Sequence, residues 1–351
     1  MRQGCFFTCL LSCSLLSAEP STTPAEATTK AIPHLTADEF QPLEMPRNLC
    51  SNGIGLYGAV SFLYWTADRD SEVATRVTSG PGDRLKLSPQ LLEIDFEPGF
   101  KLGVGLRAGE REWDLLVNWT WLQLFPHRSL QESTPAFASS LTGIRRHDTD
   151  LGLSSGVHSK GMILFDALDI ELGASYMVRK RLALRPLIGL KGNWIKETLK
   201  SHFTGAHSVH GDPLSDVDDR LKSQMWGLGP RLGVNSRWQL GRSDFALLGN
   251  TSFSMLWEKY LLNVRESYAN ASGVPQGRSS SIHQGSLQPV MELLLGFDWS
   301  RCLAERFYLS IGAGYEMQYW WSVAQVSTGT RARLAEPLKL QGLTASVRLD
   351  F

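Results

Sequence analysis

The side chains able to do chemistry in this chain are charged residues set at alternate positions among apolar ones. The cations are Lys101, Arg107, Arg185, Lys191, Arg231, Arg237 and Arg348. The anions are Asp114, Asp169, Glu171, Glu258, Glu292, Asp298, Glu316 and Asp350. Facing one another across a water-filled lumen, such groups set up a transverse field that orients polar solutes. Facing one another across a narrow one, they pair and fill it. The signs nearly balance, and both readings stay open. Asp169 and Glu171 are expected to face Arg185 and Lys191 on a neighbouring strand.

Other arrangements are weaker. His207-Ser208-Val209-His210-Gly211-Asp212, followed by Asp216, Asp218 and Asp219, contains metal-ligand residue types. A loop lacks the fixed i,i+4 geometry that makes paired histidines on a helix specific, so a solvated polar loop is the favoured reading. His127, His147, His158, His202 and His283 likewise fall in expected loops or at their edges. Gly103-Val104-Gly105-Leu106-Arg107-Ala108 imitates a dinucleotide fingerprint, but it sits in alternating sequence with no helix expected after it. No catalytic residue, metal site or cofactor is expected.

The elements that must position the charges show a period of two. Phe307, Leu309, Ile311, Ala313, Tyr315, Met317, Tyr319 and Trp321 take every odd position, with Tyr308, Ser310, Gly312, Gly314, Glu316, Gln318 and Trp320 between them. Successive strand side chains point to opposite faces, so one face is wholly apolar. The run is about 15 residues long, whereas strands of soluble proteins average about 5–6. Such length crosses a bilayer at a steep tilt. Trp113–Trp121, Leu182–Trp194, Trp226–Trp238 and Leu287–Trp299 repeat the pattern.

Short connections near 108–111, 179–181, 241–243 and 302–305 alternate with long polar ones near 67–90, 126–158, 199–221, 267–283 and 326–335. Ten strands lie between them, near 54–66, 91–107, 112–124, 160–177, 182–198, 222–240, 244–265, 285–300, 306–322 and 336–351. A strand hidden in a long loop pair would make twelve. The expected fold is all-β: a transmembrane antiparallel β-barrel with short periplasmic turns and long external loops. The apolar face then points outward. The charged residues point inward, because Arg or Lys facing lipid at mid-depth costs roughly 2–4 kcal/mol. Trp226 and Trp238 stand twelve residues apart. At ~3.3 Å per residue and a tilt of roughly 40° this is about 30 Å along the axis, near the height of an apolar band between aromatic girdles.

Composition agrees. The chain has 351 residues, with 35 basic against 35 acidic side chains. That balance argues against nucleic-acid binding, which needs a basic excess. No run of 18 apolar residues occurs, which excludes spanning helices but not spanning strands. Residues 1–18 read as an export signal: Arg2, an apolar stretch from Cys5 to Leu16, then Ser17-Ala18. Leu10-Leu11-Ser12-Cys13 loosely resembles a lipoprotein cleavage box, a minor alternative. Residues 19–52, rich in Thr, Pro, Ala and Glu, read as a flexible periplasmic leader, and 53–351 as the barrel. Removal of the signal leaves Cys50 and Cys302, which share an oxidising compartment. A disulfide, within the chain or to another envelope protein, stands beside two free thiols as an open alternative.

Phe62-Leu63-Tyr64-Trp65, Phe96-Glu97-Pro98-Gly99-Phe100-Lys101, Trp113-Asp114-Leu115 and Asn118-Trp119-Thr120-Trp121 follow in order. Leu168-Asp169-Ile170-Glu171-Leu172-Gly173, Leu184-Arg185-Pro186, Gly189-Leu190-Lys191-Gly192 and Trp226-Gly227-Leu228-Gly229-Pro230-Arg231 continue the series. Together they resemble the pore-forming major outer membrane proteins of the Legionella and chlamydial type, over most of residues 54–351. The resemblance implies an outer-membrane porin passing small hydrophilic solutes and ions. It also implies cross-linking to other envelope proteins through cysteines. A structural or adhesive barrel plugged by its charge pairs is the alternative. A rim protease using Asp and His is a third reading, for which no matching pair stands at the strand ends. The final strand, with Leu343, Ala345, Val347, Leu349 and Phe351 on one face, resembles the assembly signal of outer-membrane barrels. Expected partners are outer-membrane lipid, the barrel assembly machinery, and a second copy of the chain or disulfide-linked envelope proteins, with no nucleic acid.

Overall fold

Period-two alternation produces long strands because each residue pair offers one side chain to either face. The computed structural model describes residues 55–69, 72–79, 85–108, 113–139, 152–207, 216–269, 274–303, 307–323 and 336–351. The expected export signal, the leader and Cys50 lie outside the described residues. The strands are β1 (Gly55–Asp68), β2 (Glu72–Ser79), β3 (Leu85–Leu91), β4 (Glu97–Ala108) and β5 (Trp113–Leu124). Then come β6 (His127–Gln131), β7 (Phe137–Ser139), β8 (Gly156–Ala174), β9 (Tyr176–Arg179) and β10 (Leu182–Thr204). The last are β11 (Val217–Gln239), β12 (Phe245–Ala269), β13 (Pro275–Leu303), β14 (Phe307–Val323) and β15 (Glu336–Asp350).

Ten of these strands close a ring in the order β8-β5-β4-β1-β15-β14-β13-β12-β11-β10 and back to β8. The ring closes between the first and last strands, from Tyr57 opposite Asp350 to Asp68 opposite Lys339. A twelve-stranded wall does not form. β6 continues β5 along β8, and β9 continues β8 along β10. A closed ring leaves no sheet edge, so every backbone group of the wall is satisfied within it.

Over the middle of the wall the apolar face points outward. Trp226, Leu228 and Leu232 of β11 are exposed, while Arg231 between them is buried inside. Beyond one end of this band the pattern inverts. Leu199, Phe203, Val217, Leu221 and Met225 point inward and are buried, while Lys196, Lys200, His202, Arg220 and Lys222 face outward. This inversion explains two departures from the sequence expectation. Residues 199–204, 217–221, 267–269 and 275–283, expected as loops, are strand. Above the bilayer the outside of the wall meets water, so apolar residues turn in, and an apolar-outward pattern misses the strands. His127, His158, His202 and His283 therefore stand on strands, not in loops.

A second sheet, in the order β3-β2-β7, lies at this same end. Its residues 85–91 end just where the expected strand 91–107 begins, and the barrel strand β4 starts only at Glu97. Val73, Ala74 and Phe137 of the small sheet pack with Val157, Phe203, Val217 and Tyr268 of the wall. The sheet thus caps the mouth of the barrel.

Candidate functional site: the barrel interior

A ten-stranded ring encloses a space on the order of 20 Å across between backbones, from ~4.8 Å strand spacing and a tilt near 40°. Inward side chains from opposite walls span most of that width. They do so here in two layers, one charged and one apolar.

The charged layer centres on β8, β10, β11 and β13. Asp169 stands directly opposite Lys191, with Nζ 3.0 Å from Oδ1. Lys191 also reaches Glu292 at 2.6 Å, three strands away around the ring. Arg231 donates from Nη2 to Glu292 at 2.7 Å and from Nε to Glu171 at 3.1 Å. The second contact passes over Gly189, which is opposite both Glu171 and Arg231 in register. A Cβ there would lie 2.0 Å from the Ile170 carbonyl oxygen, so only glycine lets the two strands approach. Arg185 extends the layer, donating to Asp114 at 2.7 Å and to Glu171 at 3.2 Å. Tyr57 donates its hydroxyl to the other Asp114 oxygen at 2.8 Å.

Smaller groups complete the ring. Lys101 pairs with Glu316 at 2.5 Å and lies over the Trp65 ring. Thr344 donates to Glu316 at 3.1 Å. Arg237 pairs with Asp298 at 2.8 Å. Arg107 and Arg348 share Asp350, at 3.4 and 2.6 Å. Of the expected interior charges only Glu258 makes no ion pair among the described residues. It accepts from the Asn193 amide at 3.0 Å instead. Gly227, opposite both in register, leaves room for that bond. A cavity of about 180 Å³ remains within the layer, lined by Lys101, Asn118, Asp169, Arg231, Glu292 and Glu316 among others.

The apolar layer lies on the capped side of the charges. Nine of the ten wall strands contribute to it, all but β4. Trp65, Leu122, Phe165, Leu256, Trp320 and Leu340 have no accessible surface. Phe165 and Trp320 meet edge to face with centroids 5.5 Å apart. Their strands, β8 and β14, stand on opposite sides of the ring. Lys191 lies 5.6 Å from the Trp320 ring, which joins the two layers. Above, buried Arg69 pairs with Glu197 at 2.5 Å.

Reading charge alone misses Tyr57, Trp65, Phe165, Asn193 and Trp320. The signal for Trp65, Phe165 and Trp320 is parity: each is apolar at an inward position, a placement that matters only if the lumen is filled. In the His- and Asp-containing segment, His202 pairs with Asp218 at 2.8 Å and approaches Asp216 at 3.5 Å. His210 and Asp212 lie outside the described residues. Cys302, the penultimate residue of β13, is disulfide-bonded. Phe351 donates its backbone N–H to Leu56 at 2.9 Å and packs edge to face on Phe307.

A closed ten-stranded antiparallel wall, apolar outside and charged within, defines an outer-membrane β-barrel. The chain belongs to the family described as Legionella pneumophila major outer membrane protein precursor, which matches residues 57–351. It is an outer-membrane protein, so the short turns lie in the periplasm and the capped end faces outward. No curated protein matches the chain. Among solved structures it is similar to the outer membrane protease OmpT from Escherichia coli, with 7% identity and a TM-score of 0.46. That match covers 86% of this chain and 99% of the other. It is also similar to the Pseudomonas putida toluene transporter TodX, with 8% identity, a TM-score of 0.33 and coverage of 86% and 90%. A major outer membrane protein from Thermus thermophilus matches with 12% identity, a TM-score of 0.31 and coverage of 86% and 100%.

Proposed function

We propose that the protein is a structural outer-membrane barrel with a closed lumen, which carries a folded external sheet and no catalytic activity. The observation that supports this reading is the apolar layer. Nine strands fill the cross-section with buried side chains, and Phe165 touches Trp320 from the opposite wall. Ions crossing such a layer lose their hydration without replacement ligands, at a cost of several kcal/mol. The purified barrel in planar bilayers is expected to give no stepwise conductance over a range of voltage and salt. Regular unitary steps in the wild-type protein would overturn the proposal.

Passive diffusion of small hydrophilic solutes and ions is the second reading. The cavity of about 180 Å³ among Lys101, Asp169, Arg231, Glu292 and Glu316 favours it, since it provides a charged compartment part-way along the axis. The same bilayer measurement separates the two readings, and reversal potentials would then report the ion preference.

A further inference from the structure

The outside of the wall carries a second charged arrangement, unrelated to the lumen. Lys160 of β8 is directly opposite Lys200 of β10, Lys200 is directly opposite Arg220 of β11, and Arg220 is directly opposite Arg265 of β12. Four adjacent strands thus align four cations in one cross-strand row, about 14 Å long at ~4.8 Å per strand. All four side chains are exposed. Like charges placed directly opposite destabilise a sheet. Among the described residues, none of the four forms a salt bridge. The acids on the same outward face are engaged elsewhere. Asp166 accepts from the Trp119 indole at 3.3 Å, and Asp218 pairs with His202.

The row has a fixed height. Trp121, Asp166, Trp194, Trp226 and Lys259 form a parallel cross-strand row on the outer face, at the external edge of the apolar band. Arg220 is six residues beyond Trp226 on the same strand, about 15 Å along the axis. Exposed Lys196, Lys222 and Lys259 occupy the interval. Lys259 also lies 5.8 Å from the Trp226 ring. Seven cations therefore climb one side of the barrel from the aromatic girdle outward, across the headgroup zone of the external leaflet. On the opposite side of the ring, the outward pair Lys339 and Asp68 neutralises itself at 2.8 Å.

We propose that this strip binds a phosphorylated glycolipid of the outer leaflet, its acyl chains on the apolar wall, the phosphates of its acylated sugars on Lys196, Lys222 and Lys259, and the phosphates of its core saccharide on Lys160, Lys200, Arg220 and Arg265. Charge complementarity identifies the ligand: an unneutralised row of cations beside a girdle matches an anionic group attached to a lipid. Phosphate oxygens accept from several Lys and Arg donors at once. The proposal holds whether or not the lumen conducts.

The test is native mass spectrometry of the full barrel in detergent, titrated with a lipopolysaccharide that carries a phosphorylated core saccharide or with its dephosphorylated counterpart. Each surface cation contributes roughly a factor of five to the binding of an anionic lipid. The variant K160Q/K200Q/R220Q/R265Q should therefore bind the phosphorylated glycolipid roughly 600-fold more weakly. K339Q, on the far side, should bind like wild type. Dephosphorylated lipid should also bind wild type far more weakly than the phosphorylated lipid does, a comparison that needs no variant. Equal binding of phosphorylated and dephosphorylated lipid would overturn the proposal. So would an undiminished affinity in the folded quadruple variant, or displacement of the lipid by equimolar inorganic phosphate, which would make the strip a site for free phosphate.

Discussion

Phe165 and Trp320 touch across the full width of the barrel, their ring centroids 5.5 Å apart and their planes at 85°. The residues are 155 positions apart in sequence, and their strands are the most distant pair the ring allows. Edge-to-face contact sets the positive rim of one ring on the negative face of the other. Trp65, Leu122, Leu256 and Leu340 are buried in the same layer.

Removing both rings should open an aqueous path. The F165A/W320A double variant is expected to show stepwise ion conductance in planar bilayers where the wild type is silent. Each truncation costs about 3–5 kcal/mol of packing, so heat-modifiable migration must first show that the barrel has folded. A folded but silent double variant would locate the barrier elsewhere, at the cap or in the charged layer.

Lys191 neutralises Asp169 and Glu292 where none of the three meets water freely. Lys191→Met keeps most of the volume, leaves Asp169 only the Arg231 guanidinium at 3.5 Å, and takes one of two cations from Glu292. The loss should be about 3–5 kcal/mol, read as a lower urea midpoint for unfolding in detergent. Lys339→Gln breaks an exposed pair and should cost less than about 1 kcal/mol. Similar losses for the two variants would refute the view that burial makes the Lys191 network matter.

Gly189 is required by its close approach to the Ile170 carbonyl. Gly189→Val should destabilise the barrel by about 3 kcal/mol or more, because the clash is with backbone that cannot move aside. Gly58→Val is the control, since a Cβ at that position meets nothing within 4 Å. The measurement is the fraction of heat-modifiable folded protein after refolding into detergent.

Phe351 makes one ring contact, with Phe307 at 6.1 Å between centroids. Phe351→Ser should lower detergent stability by only roughly 1–2 kcal/mol. Insertion into the outer membrane of cells should fall much further if the terminal residue serves the assembly machinery. Parallel losses in cells and in detergent would reduce Phe351 to a packing residue.

Much of this fold is legible locally. A lipid-facing wall forces apolar residues onto every second position, so Phe307 to Trp321 announces its strand without reference to the rest of the chain. The same rule sends Lys191, Arg231 and Glu292 inward, since lipid does not solvate them. It fails where the wall leaves the bilayer. There Lys200 and His202 turn outward, Leu199 and Phe203 turn inward, and the strands read as polar loops. It also assigns Trp65 and Trp320 no role, because an aromatic at an inward position has meaning only once its opposite neighbour is known.

The sequence by itself determined the all-β barrel and the inward face of its mid-wall charges, because each follows from the contrast between lipid and water, felt residue by residue; it left ten and twelve strands both open and did not announce the buried pair Arg69 and Glu197. The tertiary structure decided what those charges meet. Lys191 reaches Glu292 and Phe165 reaches Trp320 only after the first strand has paired with the last and all registers are set. Those are non-local choices among segments that each satisfy their own pattern equally well alone. The same closure aligned Lys160, Lys200, Arg220 and Arg265 on the outer face, a row whose members are scattered over more than a hundred residues of chain.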